Sequence, residues 1–496
     1  MNAGERRHII QKQVLEFRWA SPEKGRAVLD DLNEKFENEV RPGIERVFER
    51  LDREGQVIRL EKVELDIGNI TRDQYEQGLG DLISEKLYEC LESRISLPQD
   101  GTVPSDDDAE VITIPASDTD AVIFFLEMGY FPWWSPFNTK KELAGKISYL
   151  VKTGGETFGE SMAEVLADSN ASGRLITSIP SALLDELIQF IYPKVRFSPS
   201  ILIEGILHSA GISRNLKGIS HFDRGYATML ALLSAEAKIE TKDLILKLTV
   251  EMKPEPPEKA EPLVELLKKL KRWLQEKDKE KTSELMDVVG SLIQEIRSRK
   301  IEMKELMEEV TEKKEIRQQD DREKEKVAKD HEKTMITNSG LVLLWPYLEK
   351  LFGELKYLKE KRFKSDRDIN RALLLLNSLV YGDEEREEHS MVLNKILCGV
   401  GTDFQLDLEM NLRKKEREEG EKMLKQFITH WKKLKSTSPD GLREAFLRRE
   451  GSLEPQEGNW KLTVERKSID VLMGALPFQV SMIKLPWMSN MIYVEW

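Results

Sequence analysis

Cysteine and histidine are scarce in this chain of 496 residues, and long apolar runs are absent. Cys90 and Cys398 lie far apart along the sequence, which argues against a disulfide framework or a thiolate metal site and is typical of a reducing compartment. None of the six histidines stands three or four residues from another, so a helical zinc-binding pair is absent. Without a run of about 18 apolar residues, we expect no membrane span. The N-terminal residues have no apolar segment, so we also expect no secretory signal.

The chain also lacks the signatures of nucleic-acid binding and of catalysis. Its net charge is -13, and a phosphate backbone repels an acidic surface, so we predict no nucleic-acid partner. A phosphate-binding glycine loop with its lysine is missing, and so is the Gly-x-Ser-x-Gly nucleophile motif. We therefore predict no cofactor, no metal and no enzyme activity. Hydrophobic residues make up 40% of the chain, which is enough to form folded cores.

Alternating and helical patterns predict a small α/β domain over residues 1–98. The segments 15–19 and 57–67 alternate apolar and polar residues, as half-buried strands do. A helix is predicted from residue 21 to about residue 52, with Pro42 expected to kink or interrupt it. A second helix follows the second strand, so we expect one small sheet with helices on one side.

Composition divides the rest of the chain into four segments. An acidic linker is predicted at 99–117, followed by a helical domain at 118–252. Residues 253–333 begin with a Pro-rich linker and continue as a charged helix or coil with one apolar stripe. Residues 334–496 are predicted to be a C-terminal α+β domain that ends in three short strands. The predicted fold class is therefore mainly α, with small α/β units near both ends and a helical middle.

Aromatic residues and prolines are concentrated in three places that favour protein contacts. Residues 129–137 contain five aromatics, 338–346 begin a capped apolar helix, and 485–496 form an aromatic, strand-like terminus. For the first two, core packing is the favoured interpretation, and an exposed anchor for a partner is the alternative. The terminus fits docking on its own domain and strand addition to a neighbour equally well. The candidate partner contacts are Tyr130, Pro132, Trp133, Trp134, Trp345, Pro486, Trp487, Met488, Tyr493 and Trp496.

Four groups of residues together carry a family resemblance. They are HIIQKQVLE at 8–16 with VELDIG at 63–68, FLEMGYFPWW at 125–134, NSGLVLLWPYL at 338–348 with LNKILCG at 393–399, and GLREAFL at 441–447 with IKLPWM at 483–488 and VEW at 494–496. The chain resembles the tape measure protein family of contractile injection systems, the phage-tail-like particles of bacteria and some archaea. The matching stretches reach from the first residues to the last.

The resemblance implies a structural protein that sets the length of a tube-and-sheath assembly. Its implied partners are inner-tube, baseplate or cap proteins, and its implied location is the cytoplasm during assembly. It leaves the oligomeric state and retention in the finished particle open.

Two accounts of the role are compatible with the resemblance. A charged helix of roughly 70 residues would span only about 100 Å. Either the helical middle extends in the tube lumen between anchored ends, or the protein is an assembly factor or baseplate-associated adaptor without a ruler role. A cargo-processing enzyme is the alternative of another class, but the sequence offers no site for it.

Overall fold

The structure is a computed structural model, and it describes most of the chain in two compact units, Met1–Asp120 and Ala121–Trp496. The described residues are 8–10, 13–16, 31–32, 34–60, 62–95, 109–216, 219–236, 239–252, 260–298, 333–382, 387–407, 410–434 and 437–496. In this part of the chain, no helix has the length and apolar character needed to cross a bilayer.

The N-terminal unit is built on two packed helices, α1 (Arg41–Leu51) and α2 (Arg72–Ile95). A π-helical turn, Phe36–Val40, precedes α1. Pro42 lies in the first turn of α1, directly after the π-helical turn, and Val40 and Arg41 keep right-handed helical backbone angles, so the longer helix is distorted before Pro42 and is not interrupted by it. The buried core of this unit comprises Val40, Ile44, Val47, Tyr75, Leu79, Ile83, Leu87, Leu91 and Ile95.

The small sheet of this unit differs from the predicted one. Strand β1 (Gln56–Arg59) pairs antiparallel with β2 (Glu110–Thr113), which comes from the segment predicted to be a linker. The predicted strand at 57–67 therefore ends early, because the alternating Val63, Leu65 and Ile67 pack against the core without a strand partner. Residues 13–16 form no strand, and the remainder of the first predicted strand lies outside the described residues.

The second unit begins with a series of short helices around one hydrophobic core. Short loops separate them, and local caps define their ends; Thr139 and Glu142, for example, form a capping box. The helices are α3 (Ile114–Met128), α4 (Lys140–Thr153), α5 (Gly155–Val165), α6 (Ser169–Ser178), α7 (Ser181–Ile191), α8 (Pro199–Ala210), α9 (His221–Ala235) and α10 (Thr241–Glu251). A two-residue hairpin, β3 (Asn215–Leu216) and β4 (Ile219–Ser220), precedes α9.

The charged segment folds back onto this core as two helices. Helices α11 (Ala260–Gln275) and α12 (Lys279–Arg297) pack against each other, and α11 also packs against α8. The chain turns at residues 276–278, so the helical part of the predicted charged helix or coil consists of two helices here. The rest of the predicted charged helix, residues 299–332, lies outside the described residues.

The C-terminal part combines helices with a five-stranded sheet. The strands of this sheet are β5 (Thr334–Ile336), β8 (Gly451–Gln456), β9 (Asn459–Val464), β10 (Met482–Ile483) and β11 (Ile492–Glu495), and a separate hairpin is formed by β6 (Leu358–Lys359) and β7 (Arg362–Phe363). The helices are α13 (Trp345–Glu354), α14 (Asp366–Tyr381), α15 (Val392–Leu397), α16 (Lys414–His430) and α17 (Pro439–Leu442). Short 3₁₀ or π segments are Ser339–Leu344, Glu388–Met391, Lys432–Leu434, Arg443–Leu447 and Ser468–Ala475.

The strand order in the large sheet is β10-β11-β9-β8-β5. Strand β11 runs parallel to β9, and every other neighbouring pair is antiparallel. Strands β9 and β11 confirm two of the three predicted C-terminal strands. The third is present only as the two residues of β10. The predicted fold class, mainly α with small sheets, is confirmed. The domain boundaries predicted from the sequence stay predictions.

Candidate partner-contact site

A buried charge cluster lies where the helical core and the C-terminal core of the second unit meet. Arg174 of α6 and Lys395 of α15 both donate to Oε1 of Glu388, from Nε at 3.1 Å and from Nζ at 2.8 Å. The three side chains are only 1%, 1% and 6% exposed, respectively. Backbone carbonyls complete the cluster, since Arg174 donates to Leu126 and Lys395 donates to Thr402. The cluster therefore joins three segments that are far apart in the sequence.

The charges of this cluster determine the ionisation of its carboxylate. Burial alone would raise the pKa of Glu388, but the positive charges of Lys395 and Arg174 outweigh burial and hold that pKa below its usual range. Gly129 ends α3 against the cluster with φ at +76°, and a Cβ there would lie 2.9 Å from Glu388 Oε1. Only glycine combines that conformation with such a close approach. The sequence interpretation missed these three charged residues, although Lys395 stands conspicuously in an apolar stretch.

The motif that begins at Asn338 also has a structural role in the second unit. Asn338 does not cap a helix as expected; its Nδ2 donates to Oδ1 of Asn394 at 2.9 Å. The Ser339 hydroxyl donates to the carbonyl of Arg449 at 2.8 Å. A Cβ at Gly340 would overlap the backbone carbonyl of Phe446, so the chain approaches closely there. These contacts bring together three separate motif stretches, 338–348, 393–399 and 441–447.

The aromatic stretch after Gly129 is largely packed inside. Tyr130 is buried in the C-terminal core, and its ring meets that of Phe124 edge to face at 5.2 Å. Pro132 is buried, and Trp134 packs partly buried against the helical core. Trp133 is half-buried. Of the candidate contacts in this stretch, the two tryptophans keep surface available to a partner.

The indoles of Trp345 and Trp487 both donate hydrogen bonds to backbone carbonyls within the C-terminal part. Trp345 is half-buried and donates from Nε1 to the carbonyl of Gln479 at 3.3 Å. Trp487 donates to the carbonyl of Leu397 at 2.9 Å, and its ring lies 5.6 Å from that of Phe352.

The residues on either side of Trp487 differ in exposure. Met488 is buried, whereas Pro486 is exposed. The backbone at Trp487 and Met488 passes close to Gly399, whose φ is +73°.

The last strand alternates between core and solvent, and the chain ends on a docked tryptophan. Tyr493 is exposed on the outer face of β11, whereas Trp496 is half-buried against the C-terminal core. Nε1 of Trp496 donates to Oδ2 of Asp470 at 3.1 Å, and the same carboxylate pairs with the fully buried Arg449. The Arg449 guanidinium also lies 5.8 Å from the Trp496 ring centroid. The terminus is therefore held by its own fold.

We expect Trp496→Ala to lower the free energy of unfolding by about 2 kcal/mol. This is less than the ~3–5 kcal/mol of a fully buried tryptophan, because the indole is half-exposed. Urea denaturation measures the effect. Tyr493→Ala, on the exposed face of the same strand, serves as the control and should change stability by about 0.5 kcal/mol or less. Equal losses in the two variants would contradict the docked position of Trp496.

The described residues offer no grouped metal ligands. Among them, no three His, Cys, Asp or Glu side chains are placed to hold a metal ion. Burial, with a contribution from the Lys140 charge, lowers the pKa of His389 to about 4, so this imidazole is neutral at pH 7. His430 accepts or donates a hydrogen bond at 2.7 Å with the Tyr347 hydroxyl. His331 lies outside the described residues.

Comparison with known proteins agrees with the motif resemblance. The family model described as "Contractile injection system tape measure protein" matches residues 7–496. No curated protein and no solved structure gave a significant match. The family is structural and is not a class of enzymes, and its members associate with other proteins of a particle. Since the matched region covers almost the entire sequence, the chain belongs to the contractile injection system tape measure protein family.

Proposed function

We propose that this protein is an assembly factor or adaptor of a contractile particle that binds inner-tube, baseplate or cap proteins. In this proposal, residues 260–297 do not act as an extended ruler. The observation that carries the proposal is the compact packing of α11 and α12. The partly exposed candidates Trp133, Trp345 and Trp487 supply aromatic surface of the kind that dominates protein interfaces.

Helices α11 and α12 form an antiparallel hairpin. A turn of three residues connects them, and a Cβ at Gly290 would lie 2.7 Å from Nζ of Lys271, which places the middle of α12 beside the end of α11. Lys242 of α10 pairs with Glu295 of α12 at 2.6 Å, so the hairpin is also fixed to the preceding helix. Its apolar stripe, predicted from the sequence, packs in the helical core.

Extending this hairpin would expose a large apolar surface. The buried side chains are Leu263, Val264, Leu266, Leu267, Leu270, Trp273, Leu274, Leu285, Val289, Leu292, Ile293 and Ile296. Exposing one buried leucine or isoleucine costs about 1.5–3 kcal/mol, so extension would cost more than the typical stability of a whole domain. The folded hairpin therefore favours the adaptor account for these residues.

We expect an insertion in the α11–α12 turn to leave particle length unchanged. About 20 helix-forming residues inserted after Lys277, which is exposed, would lengthen an extended ruler by about 30 Å. In an adaptor, the insertion forms a longer surface loop at little cost. Electron microscopy of purified particles measures sheath length.

The same insertion in residues 312–333 is the matched comparison for the remaining charged segment. Unchanged length in both variants, with normal particle yield, supports the adaptor. A lengthening of about 30 Å from the first insertion would contradict the proposal. The same lengthening from the second insertion alone would assign a ruler role to the charged segment instead.

We further propose that assembly takes place in the cytoplasm. Cys90 and Cys398 are both free, as suits a reducing compartment. Burial raises the pKa of the Cys398 thiol, so this side chain behaves as a small apolar core residue. Labelling of the thiols with a maleimide in freshly opened cells, with and without reductant, should give equal modification of Cys90 if the compartment is reducing.

A further inference from the structure

An apolar segment crosses the surface of the C-terminal part and is only partly buried. We call residues 468–480 the strap; it consists of the 3₁₀ segment Ser468–Ala475 and the five residues after it. No residue of the 3₁₀ segment is buried, and Val471 is 83% exposed. Its apolar residues are Ile469, Val471, Leu472, Met473, Leu476, Phe478 and Val480. Ile469 and Val471 are exposed, and the other five pack partly buried against the C-terminal core, so the strap presents a partly exposed apolar surface of the kind that marks interaction sites.

The strap is fixed to the protein by its backbone and by a few side chains. Trp431 donates from Nε1 to the carbonyl of Leu472 at 3.2 Å, and Trp345 donates likewise to Gln479. Asp470 pairs with Arg449 at 2.8 Å. The exposure of Val471 is therefore a feature of the folded state and not of a frayed end.

Positive charge borders the strap in a chain that is acidic overall. The 3₁₀ segment Lys432–Leu434 packs against the strap, and its Lys432 and Lys433 are exposed. Arg466 is exposed two residues before the strap. Within the described part of the chain, these three cations have no carboxylate at ion-pair distance, while Asp470 is already bonded to Arg449. The surface thus combines apolar side chains with unneutralised positive charge.

We propose that the strap binds an apolar peptide segment with acidic flanks from another particle protein. Charge complementarity selects the acidic flanks, and the apolar strap supplies the contact area. An anionic membrane offers similar chemistry but fits less well. Tryptophan and tyrosine typically anchor proteins at membrane interfaces, and the exposed large apolar residues of the strap, Ile469 and Val471, include neither. The inference that this peptide belongs to another particle protein rests on the proposed assembly role.

Titration with two designed peptides tests the surface. A fluorescent peptide of leucines with glutamate flanks should bind the full-length protein, and one with lysine flanks should bind roughly tenfold more weakly or not at all. Val471→Asp should reduce binding of the acidic peptide by about tenfold, because it places a like charge in the apolar contact. Val14→Asp, at another exposed valine, is the matched control and should leave binding unchanged.

Reversing the charge of the two lysines beside the strap is a second test of the proposal. The double change Lys432→Glu and Lys433→Glu should weaken binding of the acidic peptide about tenfold and reduce the salt dependence of that binding. Equal binding of both peptides, unchanged binding by Val471→Asp, or no binding of either peptide would overturn the proposal. Sedimentation of the protein with phosphatidylserine vesicles, if Val471→Asp abolished it, would also overturn the proposal, because it would show that the strap binds a membrane. These outcomes are independent of particle length, so failure here and failure of the adaptor proposal are distinguishable.

Discussion

Replacing Glu388 by glutamine is expected to lower the free energy of unfolding by ~3–5 kcal/mol. Glu388 is the shared partner of two buried cations, Arg174 and Lys395, and glutamine keeps its shape but removes its charge. Two desolvated positive charges would then face each other without an anion. Breaking a buried ion pair costs more than breaking an exposed one, since the charges left behind cannot reach water. Urea denaturation measures the loss.

The neighbouring Glu387 provides the matched control for this prediction. Its side chain is over one-third exposed and lies 3.2 Å from His389, so Glu387→Gln should cost less than about 1 kcal/mol. Similar losses in both variants would show that the Glu388 cluster is not important for stability. A double change, Glu388→Gln with Lys395→Met, should recover part of the loss, because one unpaired cation is removed.

The pH dependence of stability gives a further check on Glu388. Its folded pKa lies below its ordinary value, so the stabilisation is fully present above the unfolded pKa, about 4.3. It is lost as pH falls through the lower folded pKa. The stability difference between the native protein and Glu388→Gln should therefore shrink on acidification. A constant difference down to low pH would argue against an ionised Glu388.

Deleting residues 487–496 is expected to unfold the five-stranded sheet. The deletion removes β11, which lies between β10 and β9, and takes the buried Ile492 and Val494 out of the core. Each large core side chain that is lost costs about 2–5 kcal/mol, so the sum approaches the whole stability of a typical domain. Hydrogen exchange of the β9 amides measures the loss of pairing. Protected β9 amides in the truncated protein would refute this expectation.

Two substitutions on neighbouring residues of β11 show whether the deletion acts by removing core side chains or only by shortening the chain. Val494→Asp buries an unpaired carboxylate and should reproduce the loss of β9 protection. Tyr493→Asp places the same charge on the exposed face and should leave protection near that of the native protein. If both variants retain protection, β11 does not stabilise the sheet.

Local sequence patterns predicted much of the helical structure, because helix formation depends on nearby residues. The apolar stripe of residues 263–310 correctly indicated an amphipathic helix wherever the structure describes it. Sequence reasoning missed two strands, β5 and β8. Strand β5 has only three residues, which are too few to show an alternating pattern, and Pro455 interrupts the pattern of β8. It also could not decide whether Trp496 packs on its own domain, which the hydrogen bond to Asp470 answers.

The sequence by itself determined the family, the dominance of helix and the acidic, histidine-poor composition. These properties lie in local spacing, in motifs and in residue counts. Only the tertiary structure decided that α11 and α12 fold back, and that β1 pairs with a strand from the predicted linker. Only it could place Arg174 beside Glu388, 214 positions away. Such contacts depend on where the chain returns after many residues, and that position is set by the packing of the whole core.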